Sequence, residues 1–433
     1  MTAAARPLLC VLVDAVRHDY VDAARMPFLA ARADELGAAR IRPILGYSDS
    51  IRATIFTGAY PDEHGYWMEY SYRPGSNAFG PLGRLTALDS LPTDFVRRGA
   101  KFVLSQTAGR VLARRGGYHT LALRNLPFRA LGSFDWTLKA GMLEGALARP
   151  TVFERLNDAG VRWAYLDSSK LGRGLPAALD RLDPDTRLVF VYLHHVDMAS
   201  HVVGIEGRLF ERALARTDAR VADVVDRVQA RLGEVSLLLF SDHGMSTVDE
   251  LVSYRRLERD PAFPRRFCFA LDATMVRLWW PDADEPLRTR IRDEVRRGAP
   301  GRFLTLEELR DLRLPVPDVA WGEEVYLLDP GRAIFPNFHS LLPPKAMHAY
   351  HPDEPEQQGI LVGARAGGTV DLVELAPLVL ERLGVAQSAG ERRATATRPS
   401  ASAGRSESNG RASTRNTLAA APSAPPPEAL GFA

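Results

Sequence analysis

"PLLCVLVDAV", Pro7 to Val16, is the stretch on which the reading of this chain turns. Six apolar residues, Leu8 to Val13, run without a polar break into Asp14. A run that short with no polar face reads as a strand buried on both sides, as in a parallel sheet. The same design recurs in "LVFVYLHHVD" (Leu188 to Asp197) and "VSLLLFSDHG" (Val235 to Gly244), each an apolar strand ending in a polar cluster. Between them "RLFERALARTDARVADVVDRVQARLG" repeats apolar residues at helical spacing, and "PTVFERLNDAGVRWAYLD" (Pro150 to Asp167) adds a helix and then a strand. Alternation of this kind predicts an α/β fold, a mostly parallel central sheet with helices on both faces. Ligands bind such sheets beyond the carboxyl ends of the strands. Three strands therefore deliver polar clusters to one edge.

The remaining sequence sets limits on function. A chain of 433 residues, 46% hydrophobic and 25% charged, can bury a large core. Its net charge of +2 gives no sign of binding a nucleic-acid polymer. Cys10 and Cys268 form no disulfide framework, and Cys10 inside its apolar run reads as a small buried hydrophobe. The N-terminal apolar run breaks at Asp14, too early for a signal peptide, and no run is long enough to span a bilayer. A cytoplasmic enzyme is the default expectation. Residues 1–386 read as one catalytic domain with two insertions, a cap at about 67–149 and an α+β subdomain at about 251–344. "GTVDLVELAPLVLERLGV" reads as a closing helix, and residues 387–433, rich in Ser, Ala, Arg and Pro, as a disordered tail.

Carboxylates and imidazoles are the donors of zinc-type sites, and two-metal hydrolases hold two ions within about 4 Å of one another. Asp14 ends the first strand. Asp197 and His201 are four residues apart, on one side of a turn or helix start. Asp242 and His243 precede Gly244, and His348 lies in the loop "MHAYHPD". Singly, each has an ordinary reading as a cap, a helix pair or a turn. Three of the clusters, however, end buried strands. In "GYSDSIRATIFTG" (Gly46 to Gly58) a hydroxyl cluster precedes a short apolar helix. Ser48 there is either an N-cap or a nucleophile, and the local sequence reads the same both ways.

The ordered set "DAVRHD", "GYSDSIRATIFTGAYPDEHG", "VDMASH", "SDHGM" and "MHAYHPD" resembles the nucleotide pyrophosphatase/phosphodiesterase branch of the alkaline phosphatase superfamily, from about residue 8 to 386. By that resemblance Asp14, Asp242 and His243 hold one divalent ion and Asp197, His201 and His348 a second, zinc by donor type, with manganese or iron as alternatives. Ser48 takes the nucleophile's position between them, where cations favour its alkoxide and a phospho-serine forms. The backbone N–H groups of the helix behind Ser48 would face the phosphate. The implied activity is a metal-dependent phosphodiesterase or phosphatase acting on phosphate esters, lipid-linked or otherwise anionic. Oligomeric state stays open.

Two departures bear on the substrate. Three positions after the nucleophile, nucleotide-processing members carry an asparagine, and this chain has Ile51. Arg52 could supply a cationic donor in its place. Its spacing from Ser48 also matches sulfatases, although Ser50 stands where their proline belongs, so sulfatase or phosphonate-ester hydrolase is the runner-up. A transferase on the same site and an inactive scaffold complete the alternatives. His64 reads as structural, His194 and His351 as supports for the metal ligands, and His18 and His119 as incidental. The stretch Asp94–Trp136 interleaves Arg and Lys with apolar residues. It reads as a helical cap with a solvated basic face, or one that steers an anionic substrate and touches a membrane surface.

Overall fold

A computed structural model describes residues 6–76, 84–90, 94–107, 126–137, 141–340, 342–364 and 366–385. Part of the cap, His119 and the tail lie outside the described residues. The central sheet has seven strands: β1 (Leu8–Val13), β2 (Ala38–Arg42), β3 (Trp163–Asp167), β4 (Leu188–Leu193), β5 (Ser236–Phe240), β6 (Gly359–Val362) and β7 (Thr369–Asp371). Their spatial order is β7-β2-β6-β5-β1-β4-β3. β1 lies between β4 and β5 and runs parallel to both, with Val13 opposite Leu193 and Leu12 opposite Phe240. The polar residues after Val13, Leu193 and Phe240 therefore emerge at the same edge, as the three apolar runs require.

β6 is the exception, antiparallel to both β5 and β2. Four residues, "GILV", hold too little sequence to announce a strand. "GTVDLVELAPLVLERLGV" is not helical throughout: Thr369–Asp371 pair with β2, and the helix proper covers Leu375–Arg382. Asp371 ends the strand as the cap that redirects the chain into a helical turn.

Helices bury both faces of the sheet. The long helix Arg208–Leu232 turns Phe210, Leu214, Thr217, Val221, Val224 and Val228 inward, a spacing of three to four residues. Asp218 is buried with them and accepts the N–H groups of Phe28 and Leu29, both at 2.9 Å. It thereby caps the helix Pro27–Leu36 from a neighbouring element. On the opposite face Ile51, Ile55 and Phe56 pack with Phe153, Phe190 and Leu380.

Residues 268–328 add a four-stranded antiparallel sheet, in order Cys268–Leu271, Met275–Trp279, Glu324–Leu328 and Gly301–Phe303. Helix Glu285–Gly298 covers it with Leu287, Ile291 and Val295. In the stretch expected to form a cap, Tyr70–Tyr72 pair with Phe134–Trp136, and Asp94–Gln106 is helical. The solvated basic face fails at Lys101, which is buried and donates to the Leu126 carbonyl at 2.7 Å with Asp89 nearby. An ammonium so placed needs those oxygens to offset lost hydration. Among the described residues no helix is long and apolar enough to cross a membrane.

Candidate active site

Asp14 leaves β1 fully buried, and the Tyr192 hydroxyl of the adjacent strand donates to its Oδ2. Ala15, next in sequence, has φ of 61°, a left-handed backbone that costs a β-carbon-bearing residue energy. That turn directs the Ala15 N–H to Asp242 Oδ1 at 3.3 Å. Asp242 and His243 follow β5, and the chain must then turn sharply. A β-carbon on Gly244 would stand 2.1 Å from the Glu356 carbonyl oxygen, so only glycine fits. His243 points Nδ1 at the Gly244 carbonyl (2.8 Å), leaving Nε2 3.2 Å from Asp14 Oδ1 and 3.6 Å from Asp242 Oδ2.

The second group grows from helix His195–Val203, which starts two residues after β4. Asp197 and His201, one turn apart, place Oδ1 and Nε2 at 3.1 Å, and His201 Nδ1 is fixed by the Ala346 carbonyl at 2.8 Å. His348 Nε2 reaches to 3.9 Å from the same Asp197 oxygen. Its ring stacks on His243, centroids 3.8 Å apart at 14°. One ligand-type atom from each of Asp14, Asp242 and His243 lies within 4.8 Å of the others, and the same holds for Asp197, His243 and His348. His243 thus belongs to both groups, whereas His201 joins the second through Asp197.

Packing anions and imidazoles this tightly moves their proton affinities. Burial, reinforced by Asp14, pushes Asp242 up to about 7. Burial lowers His243, but the Asp242 and Asp14 carboxylates outweigh it and hold the ring at about 10. Burial also raises Asp197, yet His201 beside it keeps that carboxyl well below the usual range. His348 is driven well down by burial and by the neighbouring His243. Asp14 Oδ1, Asp197 Oδ1, Asp242 Oδ2, His243 Nε2 and His348 Nδ1 are buried without a well-directed hydrogen bond among the described residues. Native interiors rarely leave so many polar atoms unpaired in one place. Carboxylate oxygens and ring nitrogens gathered this way suit divalent cations, and the donors fit the ions that the resemblance implies.

Ser48 settles the cap reading by its position. The N-cap residue of helix Ser48–Thr57 is Tyr47, Ser48 is the first helical residue, and Ser50 donates backwards to the Tyr47 carbonyl at 2.9 Å. No side chain caps this helix, which leaves its first N–H groups without intrahelical acceptors. Gly58, at φ 66°, ends it. Tyr47 packs edge-on against His348 (5.5 Å), and Arg52 lies 4.8 Å over the Tyr192 ring that holds Asp14. Ser48 therefore opens a helix braced against both groups. Arg52 is paired with Asp49, and Ile51 is 1% exposed in the core. His64 is buried, its Nε2 3.1 Å from Thr54 Oγ1 on that helix. His194 bonds Ser168 and His351 faces Asp353, so neither bonds a candidate ligand.

Tyr192 and Tyr47, which touch candidate ligands, are contacts that sequence reading missed. Tyr192 sits opposite Leu12 in the sheet register, two positions before Asp14, and inside an apolar run it passes for packing.

Residues 8–293 match the family model of type I phosphodiesterase/nucleotide pyrophosphatase. Human ectonucleotide pyrophosphatase/phosphodiesterase 5 superposes with a TM-score of 0.62 at 12% identity, covering 88% of this chain and 96% of that one. The murine protein of the same name gives 0.60 at 14% identity, and its inactive form in complex with AMP gives 0.59, with the same coverage. At such identities the likeness is one of fold. No curated protein sequence is significantly similar. The family match spans β1 to β5 with the clusters at their ends and the helix that Ser48 opens, and it stops short of His348. On that match, with the fold and edge cluster agreeing, the chain belongs to the type I phosphodiesterase/nucleotide pyrophosphatase family, phosphoester hydrolases of the alkaline phosphatase superfamily.

Proposed function

We propose that the chain is a two-metal phosphodiesterase that works through a phospho-serine at Ser48. The observation that carries this reading is the cluster of buried, unpaired carboxylate and imidazole atoms beside an uncapped helix start. Asp14, Asp242 and His243 would hold one ion and Asp197, His201 and His348 the other, with zinc best matched to the donors. Bound there, the ions supply electrostatic stabilisation of the transferring phosphoryl group and favour the alkoxide of Ser48. The chain's own groups do the rest. The Ser48 Oγ forms a bond to phosphorus as the bond to the leaving alcohol breaks, and the serine proton passes to that alcohol. Water then displaces the serine and restores its proton. The free N–H groups of the first turn receive phosphoryl oxygens.

Two residues that follow Ser48 bear on the substrate. Ile51 faces the core and cannot supply the donor found at that position in nucleotide-processing relatives, whereas Arg52, paired with Asp49 through one terminal nitrogen, keeps a buried Nε without a partner among the described residues and remains the candidate donor. The test is hydrolysis of bis-p-nitrophenyl phosphate with zinc, with manganese and with EDTA. Ser48→Ala should lower turnover by about 10³ or more while metal content and melting temperature hold. Turnover preserved in that variant removes Ser48 from the mechanism.

A further inference from the structure

A second buried charge cluster lies beyond Tyr47. Asp272, at the turn after Cys268–Leu271, and Arg277, inside the strand Met275–Trp279, are both fully buried. Arg277 Nε donates to Asp272 Oδ2 at 2.7 Å, and its terminal nitrogens reach the Tyr70 and Trp321 carbonyls at 3.1 Å. His339 completes the cluster, Nε2 at 2.8 Å from Asp272 Oδ1 and Nδ1 at 3.0 Å from Glu69 Oε2. Burial opposes a charge on this ring, but the two hydrogen-bonded carboxylates raise it to about 9. With both nitrogens tied, the ring cannot turn.

Tyr47 lies flat on that fixed ring, centroids 5.4 Å apart and planes 25° apart. The Tyr47 hydroxyl is 3.1 Å from Thr274 Oγ1 and accepts the Thr274 N–H at 3.0 Å. Thr274 Oγ1 donates onward to the Ala349 carbonyl at 2.7 Å. Ala349 follows His348 and has φ of 66°, so a strained residue next to a candidate ligand is held by the same threonine that holds Tyr47. Tyr47 immediately precedes Ser48. Glu69 and Asp272 are far apart in sequence, and His339 joins them under the residue that leads into Ser48.

We propose that His339 is a positioning residue: pinned between Glu69 and Asp272, its ring is the platform that sets Tyr47, and through it Ser48, against His348. This rests on Ser48 being the nucleophile. Misplacing a reacting group by a fraction of an ångström lowers rate without abolishing binding, which separates positioning from fold maintenance.

The experiment compares wild type, His339→Ala, His339→Gln and Thr274→Val as metal-loaded full-length protein on bis-p-nitrophenyl phosphate. His339→Ala should lower kcat about tenfold with KM within twofold and metal content unchanged. His339→Gln, which keeps one hydrogen bond, should recover part of the loss. Thr274→Val, which leaves every buried charge paired, should lower kcat the same way and carries the test if His339→Ala does not fold. Unchanged kcat per metal-loaded chain in His339→Ala or Thr274→Val overturns the proposal. If wild type turns over no diester, the hydrolase reading fails separately, and the crystal structure of the variant decides. The Tyr47 ring should leave its 5.5 Å contact with His348. A ring that stays in place overturns the platform.

Discussion

Two clusters of buried charge lie on either side of Tyr47, and they are built on opposite terms. Around Arg277, every side-chain nitrogen and oxygen of Arg277, Asp272 and His339 has a hydrogen-bond partner. Around Asp14 the reverse holds: among the described residues both groups keep buried carboxylate and imidazole atoms without a well-directed hydrogen bond, and burial, reinforced by Asp14, pushes Asp242 towards neutrality. In a satisfied cluster hydrogen bonds and ion pairs offset part of the desolvation cost, and removing one partner exposes that cost again. An unsatisfied one leaves part of that cost standing, which a bound cation would relieve. Burial and charge alone do not separate a cluster that completes itself from one built to take a cation, but hydrogen-bond accounting does.

Substituting one acid in each cluster should give opposite signs. Asp242→Asn should cost about 10³ in turnover, and in EDTA at pH 8 it should raise stability. The sign follows from linkage: a carboxyl whose folded pKa lies above its unfolded one weakens the fold as pH rises past the unfolded value. Activity assays and chemical melts of the metal-free variant check both parts. Asp272→Asn should lose about 3 kcal/mol of stability with or without metal, because it leaves Arg277 and His339 facing a neutral group. An equal loss for Asp242→Asn in EDTA would erase the distinction between the clusters.

His64 gives the smallest effect. Burial lowers its folded pKa to about 3, below the unfolded value of about 6.5. Its neutral form therefore contributes stability in full above pH 6.5, which is lost as pH falls towards 3. Melting temperatures at pH 7 and pH 5 should fall less in His64→Gln than in wild type. Equal slopes would show that His64 titrates normally.

The parts of the site visible in the sequence are those that sit on regular elements. Asp14, Asp197, Asp242 and His243 follow apolar strands whose parallel pairing sends them to one edge, and His201 follows Asp197 by one helical turn. His348 was placed only by resemblance, since the loop that carries it has no periodicity of its own. What went unseen was contact across long separations. Tyr47 meets Thr274 from 227 positions away, and Tyr192 meets Asp14 from 178. No local pattern marks such residues, because their roles exist only once the sheet has formed. The antiparallel β6 escaped for a similar reason: four apolar residues acquire strand geometry from β2 and β5 on either side.

Metal stoichiometry tests the central claim most directly, measured by elemental analysis of purified, zinc-loaded protein beside Asp242→Asn. Two ions per chain in wild type, with at least one lost in Asp242→Asn, is the expected result. A wild-type chain that holds no ion would contradict it, and the unpaired atoms around Asp14 would then need another explanation.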